Sequence, residues 1–290
     1  MTGQEKGYTF LELLIALALA LFLSGGMVEV FIQCKKTYYL IQQLHAMQTN
    51  ARIAFSWLSH DIRMAGFIGC VRLVDFVPLN SRLTPDTRIV VWHEGHGTTE
   101  QVALPSLPRA KLHSDVVLIQ ALNPNTISVQ FAKGKHIALV SRSLFHQNDK
   151  LLISDCRHAE AFQWSHIDLR HSYQADSEVG FFDKIIYYVG DTGRRTEAWR
   201  PVYALYRRNL NTSIHNPIEL VEGIEKMSVR LGIKSGTNGS LIYVLPDQVK
   251  RGLEVRSLEI NLLLNDRTSL SRETSLSREW KYIIALRERE

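Results

Sequence analysis

Glu12 is the residue whose chemistry least suits its surroundings: a carboxylate at the head of sixteen uncharged residues, Leu13 to Val28. An ionised side chain at membrane depth costs on the order of 3 kcal/mol even on lenient insertion scales, so it marks function and calls for a partner. Other candidates are weaker. His93-Glu-Gly-His96, with His113 farther on, has the residue types of a metal site but no third ligand at defined spacing, and it reads as an exposed turn. Cys156-Arg-His158 has the types of a thiol nucleophile and its base, provided that the thiol is free. From Arg194-Arg195 through Trp199, Arg200, Tyr203, Tyr206 and Arg207-Arg208, rings interleave with cations, as in binders of single strands. Strand alternation accounts for the same residues as an ordinary sheet, and nucleic acid is not expected as a partner. The sequence holds no Gly-x-Ser-x-Gly elbow, His-Glu-x-x-His helix or phosphate-binding glycine loop. We therefore read no enzyme, no catalytic residue, no metal site and no cofactor.

These residues need elements to position them. With 290 residues and 45% hydrophobic content the chain can bury a core, and its net charge of +5 is scattered among acids rather than gathered into a nucleic-acid-binding block. Leu13 to Val28 would rise about 24 Å as a helix, short of a roughly 30 Å hydrocarbon core. Adding Tyr8 to Leu11 makes up the difference and takes Glu12 into the membrane. A cleaved signal peptide fits badly, since no small-x-small site follows the apolar run. Ser24-Gly25-Gly26 interrupts that run, either for close helix packing or as a stretch able to unwind.

Beyond the apolar run, Ile41, Leu44, Gln48, Ala51, Phe55, Leu58, Ile62 and Ala65 form one stripe of helical spacing. No proline lies between Tyr8 and Gly66, so a single long helix is expected, stopped by Gly66 and Gly69. After Val71 the pattern turns to short β-type runs. Alternation marks Ile127, Val129 and Phe131, then Met227 to Ile233 and Leu258 to Leu264. Further runs are Val116 to Ala121, Ile137 to Val140, Leu151 to Ile153, Ile185 to Val189 and Leu241 to Leu245. Ile185 to Val189 and Val202 to Tyr206 read as a hairpin with an extended loop, and a parity switch between Val255 and Leu258 predicts a bulge or a bend. Asn265 to Glu279 reads as an exposed loop before a last strand, Trp280 to Leu286. In all, about ten strands are expected.

The segment Gly7-Tyr8-Thr9-Phe10-Leu11-Glu12, followed by an alanine- and leucine-rich run, resembles the class III signal of type IV prepilins and pseudopilins. Ala51-Arg-Ile-Ala-Phe55 and Leu58-Ser-His-Asp-Ile-Arg-Met-Ala-Gly66-Phe-Ile-Gly-Cys70 resemble the PilW-type minor pilins within that superfamily. So do Ser154-Asp-Cys156, Leu205-Tyr-Arg207 and Leu220-Val-Glu-Gly-Ile-Glu225 leading to Met227, in the same order along nearly the whole chain. Tyr8 departs from the commoner Phe but keeps the ring.

The resemblance implies an α+β, pilin-like fold. Residues 1–7 would be a cleaved leader, 8–34 the transmembrane half of the N-terminal helix and 35–66 its amphipathic half. That helix would pack on a β-rich head of antiparallel sheets, 67–290. It also implies cleavage by a prepilin peptidase between Gly7 and Tyr8, N-methylation of Tyr8, and an assembly role for Glu12. The freed amine of Tyr8 is a cation that could pair with Glu12 of a neighbouring subunit, offsetting the cost of burying each. Implied partners are that peptidase, other minor pilins and the major pilin, the inner-membrane assembly platform, the lipid bilayer and a possible tip adhesin. The head would lie in the periplasm, reaching the cell surface after assembly, although Lys35 and Lys36 against Lys6 alone would favour the opposite orientation. A large minor pseudopilin of type II secretion, and a membrane-anchored adhesin or DNA-binding protein, are the alternatives.

Three cysteines lack CxxC spacing. In an exported head Cys70 and Cys156 are expected to pair, closing a loop of 86 residues and leaving Cys34 over. A loop of that length gains at most roughly 4 to 5 kcal/mol in the chain-entropy account.

Overall fold

The structure, a computed structural model, describes residues 9–71, 76–77, 88–93, 96–98, 103–141, 145–196, 199–211, 217–235, 240–249, 255–265 and 276–286. One uninterrupted helix, α1 (Phe10–Arg63), opens the chain, and its apolar first part is long enough to cross a membrane. Ser24-Gly25-Gly26 does not break it: Ser24 Oγ donates back to Ala20 O at 2.7 Å, and a Cβ at either glycine would meet nothing within 4 Å. The helix stops where expected. Gly66 takes a left-handed φ of 74°, and its N–H leaves the helical pattern to donate to Gln120 O at 2.8 Å.

The chain divides into two compact units, Met1–Gln48 and Thr49–Glu290, so the last turns of α1 belong with the strands. In this second unit Ala51, Ala54, Phe55, Leu58, Ile62 and Ala65 are buried, as the stripe predicts, with Ala54 added to it. Gln48 and Ile41, placed on the same stripe by spacing, are exposed.

Sixteen strands follow among the described residues. They begin with β1 (Phe76–Val77), β2 (Ile89–His93), β3 (His96–Gly97), β4 (Val116–Leu122), β5 (Ile127–Gly134) and β6 (His136–Leu139). Next come β7 (Lys150–Ser154), β8 (Ala159–Gln163), β9 (Leu169–Tyr173), β10 (Glu178–Arg195) and β11 (Pro201–Asn209). The last are β12 (Ile218–Glu222), β13 (Ile224–Ser235), β14 (Ser240–Val244), β15 (Val255–Asn265) and β16 (Ser277–Ala285). The fold is therefore α+β, with a long N-terminal helix and a β-rich head. All ladders are antiparallel except the two-residue β1–β8 pair.

Strand β10 organises the larger sheet. Its first residues pair with β5 and β7, its middle with β4, and its second half with β11 in the hairpin expected from the sequence, Val189 opposite Leu205. Every residue of β4 is buried. Val116 and Leu118 join Val90, Trp92, Ile186 and Tyr188 in a core cluster on one face. Val117 pairs with Tyr187, whose hydroxyl reaches α1 on the other face. A strand covered on both faces needs a continuous apolar run, which is what 116–122 supplies apart from Gln120.

The smaller sheet runs β14-β13-β15-β16. Met227, Val229, Leu231 and Ile233 face inward with Leu258, Ile260, Leu262 and Leu264, all buried. The expected bulge occurs: the register shifts where Gly232 opposite Ser257 gives way to Ile233 opposite Val255. The sixteen strands among the described residues exceed the roughly ten expected, because short strands such as β1, β3 and β8 carry no alternating apolar pattern, and two further expectations need correction. A bulge between Val129 and Phe131 leaves Phe131 exposed and buries Ala132 in its place. Strand β16 starts at Ser277, inside the stretch read as a loop, because β15 offers it a nine-residue ladder; residues 266–275 of that loop lie outside the described residues.

Polar groups join the two sheets. Asp115, just before β4, donates its N–H to Met227 O at 2.9 Å, and its Oδ2 accepts the Val229 N–H at 2.7 Å. Ser114 Oγ accepts the Met227 N–H at 3.0 Å, and His93 Nδ1 lies 2.7 Å from Asp115 Oδ1. Burial pushes the Asp115 carboxyl above the ordinary aspartate range, outweighing the Val229 N–H, His93 and Lys226, which act the other way. The folded state therefore holds this proton more readily than the unfolded chain does. Relative to Asp115→Asn, the unmodified protein should lose stability as pH rises from the ordinary aspartate range through this raised value. Urea unfolding at a series of pH values measures the difference, and parallel stability curves would contradict it.

Candidate functional site

Thr9 and Glu12 form the start of α1. The Glu12 N–H donates to Thr9 O at 3.1 Å and lies 3.4 Å from Thr9 Oγ1, so Thr9 caps the helix and Glu12 occupies its third position. Thr-x-x-Glu is the spacing of a capping box. An anion in the first turn also faces the positive end of the helix dipole, worth about 0.3 to 1 kcal/mol. Glu12 thus has a local reason to stand at this point, which its reading as a lone carboxylate missed although the Thr-x-x-Glu signal was present. Gly7 and Tyr8 lie outside the described residues. Cys34 is a free, exposed thiol on α1.

In the head, Cys70 and Cys156 form a disulfide, with Cα atoms 4.9 Å apart. Gly69 makes the approach possible: at φ 97° a Cβ there would stand 2.3 Å from Ser154 Oγ. The Gly69-Cys70 and Ser154-Asp-Cys156 elements, 84 and more residues apart in sequence, are one corner of the structure. Because its sulfur is bonded, Cys156 is no nucleophile for His158.

The end of α1 is held by a cluster to which the sequence analysis assigned no role. Asp61 is buried; its Oδ2 accepts Tyr187 Oη at 2.6 Å and Arg207 Nε at 2.8 Å. The guanidinium of Arg207 also lies 6.0 Å from the ring centre of Trp57. Burial opposes the charge of Arg207, but Asp61 and Tyr187 together hold it firmly protonated. Burial, and then the Asp61 carboxylate, push the Tyr187 phenol upward. Behind them Asp183 accepts Asn123 Nδ2 and Asn209 Nδ2, each at 2.7 Å, with its carboxyl raised by burial despite these donors. The Asp-Ile-Arg and Leu-Tyr-Arg elements thus meet through their Asp61 and Arg207, a pairing that only the fold reveals.

The remaining candidates are dispersed. His93 lies against Asp115, while His113 sits in a turn at φ 58°; the side chain of His96 lies outside the described residues. Among the described residues no group of three or more His, Cys, Asp or Glu is placed to hold a metal. In the basic and aromatic stretch, Arg194 pairs with Glu219 and Glu222, Arg195 with Asp191 at 3.0 Å and Arg207 with Asp61. Tyr206 stacks on Tyr188, with centroids 5.5 Å apart. Trp199, in contrast, is exposed, at a left-handed φ of 59°. Ala204 and Leu205 are both buried, since β11 is covered on each face.

No family model, curated protein or solved structure matches the chain. Removing one member of a buried ion pair leaves the other uncompensated. Arg207→Ala should therefore destabilise the protein by about 3 kcal/mol, whereas the combined Asp61→Leu, Tyr187→Phe, Arg207→Met variant should stay within about 1 kcal/mol of the parent. Denaturant titrations of both compare the two, and equal losses would refute a charge-based role.

Proposed function

We propose that the chain is a minor pilin of the PilW type. It enters the inner membrane as a prepilin, is cut between Gly7 and Tyr8 by a prepilin peptidase, and is methylated at Tyr8. With other minor pilins it then primes assembly of a type IV pilus on the inner-membrane platform. The observation that carries this proposal is the Gly7-Tyr-Thr-Phe-Leu-Glu12 signature at the head of a helix that runs unbroken from Phe10 to Arg63. Support comes from the disulfide at the end of that helix, which suits an oxidising compartment outside the cytoplasm.

Glu12 serves two ends in this proposal. Within one chain it places an anion at the positive end of the helix dipole; between chains its carboxylate pairs with the Tyr8 amine that cleavage creates. Mass analysis of the mature N-terminus should find N-methylated Tyr8, and an intact Met1 would remove the basis for the assignment. Glu12→Ala should abolish incorporation into pili, whereas Thr9→Ala, which weakens the cap and keeps the charge, should still assemble. Equal incorporation of Glu12→Ala and the parent would eliminate the pairing role.

A further inference from the structure

Two histidines beside the disulfide lie with their rings stacked: His158 and His171 have centroids 4.1 Å apart and planes 15° from parallel. Both side chains are partly open to solvent, 38% and 36% exposed, and nothing in the assembly proposal uses them. Their surroundings determine which ring nitrogen is available. Glu160, buried on β8, accepts the N–H groups of Arg170 at 2.8 Å and His171 at 2.9 Å, and the Tyr173 hydroxyl at 3.0 Å. Its Oε1 also lies 2.8 Å from His171 Nδ1. A carboxylate that accepts from this nitrogen too holds the ring by Nδ1 and leaves Nε2 as the atom open to a ligand.

On the other ring, His158 Nδ1 has Asp155 Oδ2 at 3.9 Å, and Asp155 Oδ1 accepts the Arg157 N–H at 2.6 Å, fixing the turn. The disulfide at Cys156 ties this turn covalently to the end of α1. A carboxylate behind an imidazole, as Glu160 stands behind His171, is the arrangement that orients histidine ligands around metals.

We propose that His158 and His171 bind one divalent transition-metal ion of the copper, nickel or zinc type through their Nε2 atoms. Imidazole nitrogens suit these ions, which sit about 2.0 to 2.1 Å from them. The His158 ring, with only a 3.9 Å contact to Asp155, turns about its side-chain bonds to bring its Nε2 toward that of the stationary His171, and water fills the other positions. The Nδ1–H···carboxylate contact of His171 is retained throughout, so binding moves no group in the core. Glu160 acts only as a positioning residue.

Cu2+ is a suitable probe. Full-length protein without a histidine tag, in detergent, should bind one Cu2+ whose paramagnetic resonance spectrum shows coupling to two imidazole nitrogens. His158→Gln and His171→Gln should each remove one nitrogen from the pattern and weaken binding about tenfold or more. His136→Gln, an exposed histidine on β6, should leave it unchanged. Absence of a two-nitrogen spectrum at excess Cu2+, or its survival in the His158→Gln, His171→Gln double variant, would overturn the proposal. Circular dichroism and an intact disulfide in each variant separate loss of ligand from loss of fold.

Discussion

Asp61 is a carboxylate enclosed by strands near the end of a helix, and the groups able to meet it decide how that helix lies within the head. Arg207 on β11 and Tyr187 on β10 both reach its Oδ2. A rotation of α1 by one residue would carry Asp61 into apolar surroundings and leave Arg207 buried without a counterion, a loss of several kcal/mol. Burial of Leu58 and Ile62, worth roughly 1.5 to 3 kcal/mol each, supplies the larger driving force but would tolerate small rotations. The apolar stripe thus draws the helix onto the sheet, and the ion pair selects its setting.

The same division of labour recurs elsewhere in the head. Where α1 gives way to strands, the Cys70–Cys156 bridge and the left-handed Gly69 against Ser154 fasten the chain to the end of β7. Where the two sheets meet, Asp115 and Ser114 complete hydrogen bonds for the backbone of Met227 and Val229. Around Glu160, four donors from β9 satisfy a carboxylate on β8. In each case apolar packing surrounds a polar group whose partners come from a distant part of the chain. Burial is non-directional; these contacts are directional, and they fix register.

Glu12 differs because, among the described residues, what its carboxylate meets is the start of its own helix. The helix dipole and the N–H groups of the first turn account for a carboxylate there. They do not account for one embedded in an apolar segment exposed along its length. That residual misfit motivates assembly as the proposed role, with the Tyr8 amine as the opposing charge.

Periodicity was enough to define α1, its apolar part, its buried stripe from Ala51 to Ala65 and the strands β13 and β15, because each carries one repeating apolar face. Strand β8 was not legible, since Glu160 interrupts its pattern and is tolerated only through donors from β9. Phe131 was misplaced because a bulge changes parity without leaving a composition signal. The Gly-Cys and Ser-Asp-Cys elements could be read as a pairing, whereas Asp61 with Arg207, and His158 beside His171, could not. By itself the sequence determined those features that depend on spacing along the chain: helix, alternating strands, cap and cysteine pair. Tertiary structure alone decided the polar contacts, since a buried charge constrains its partner's chemistry but not its sequence position.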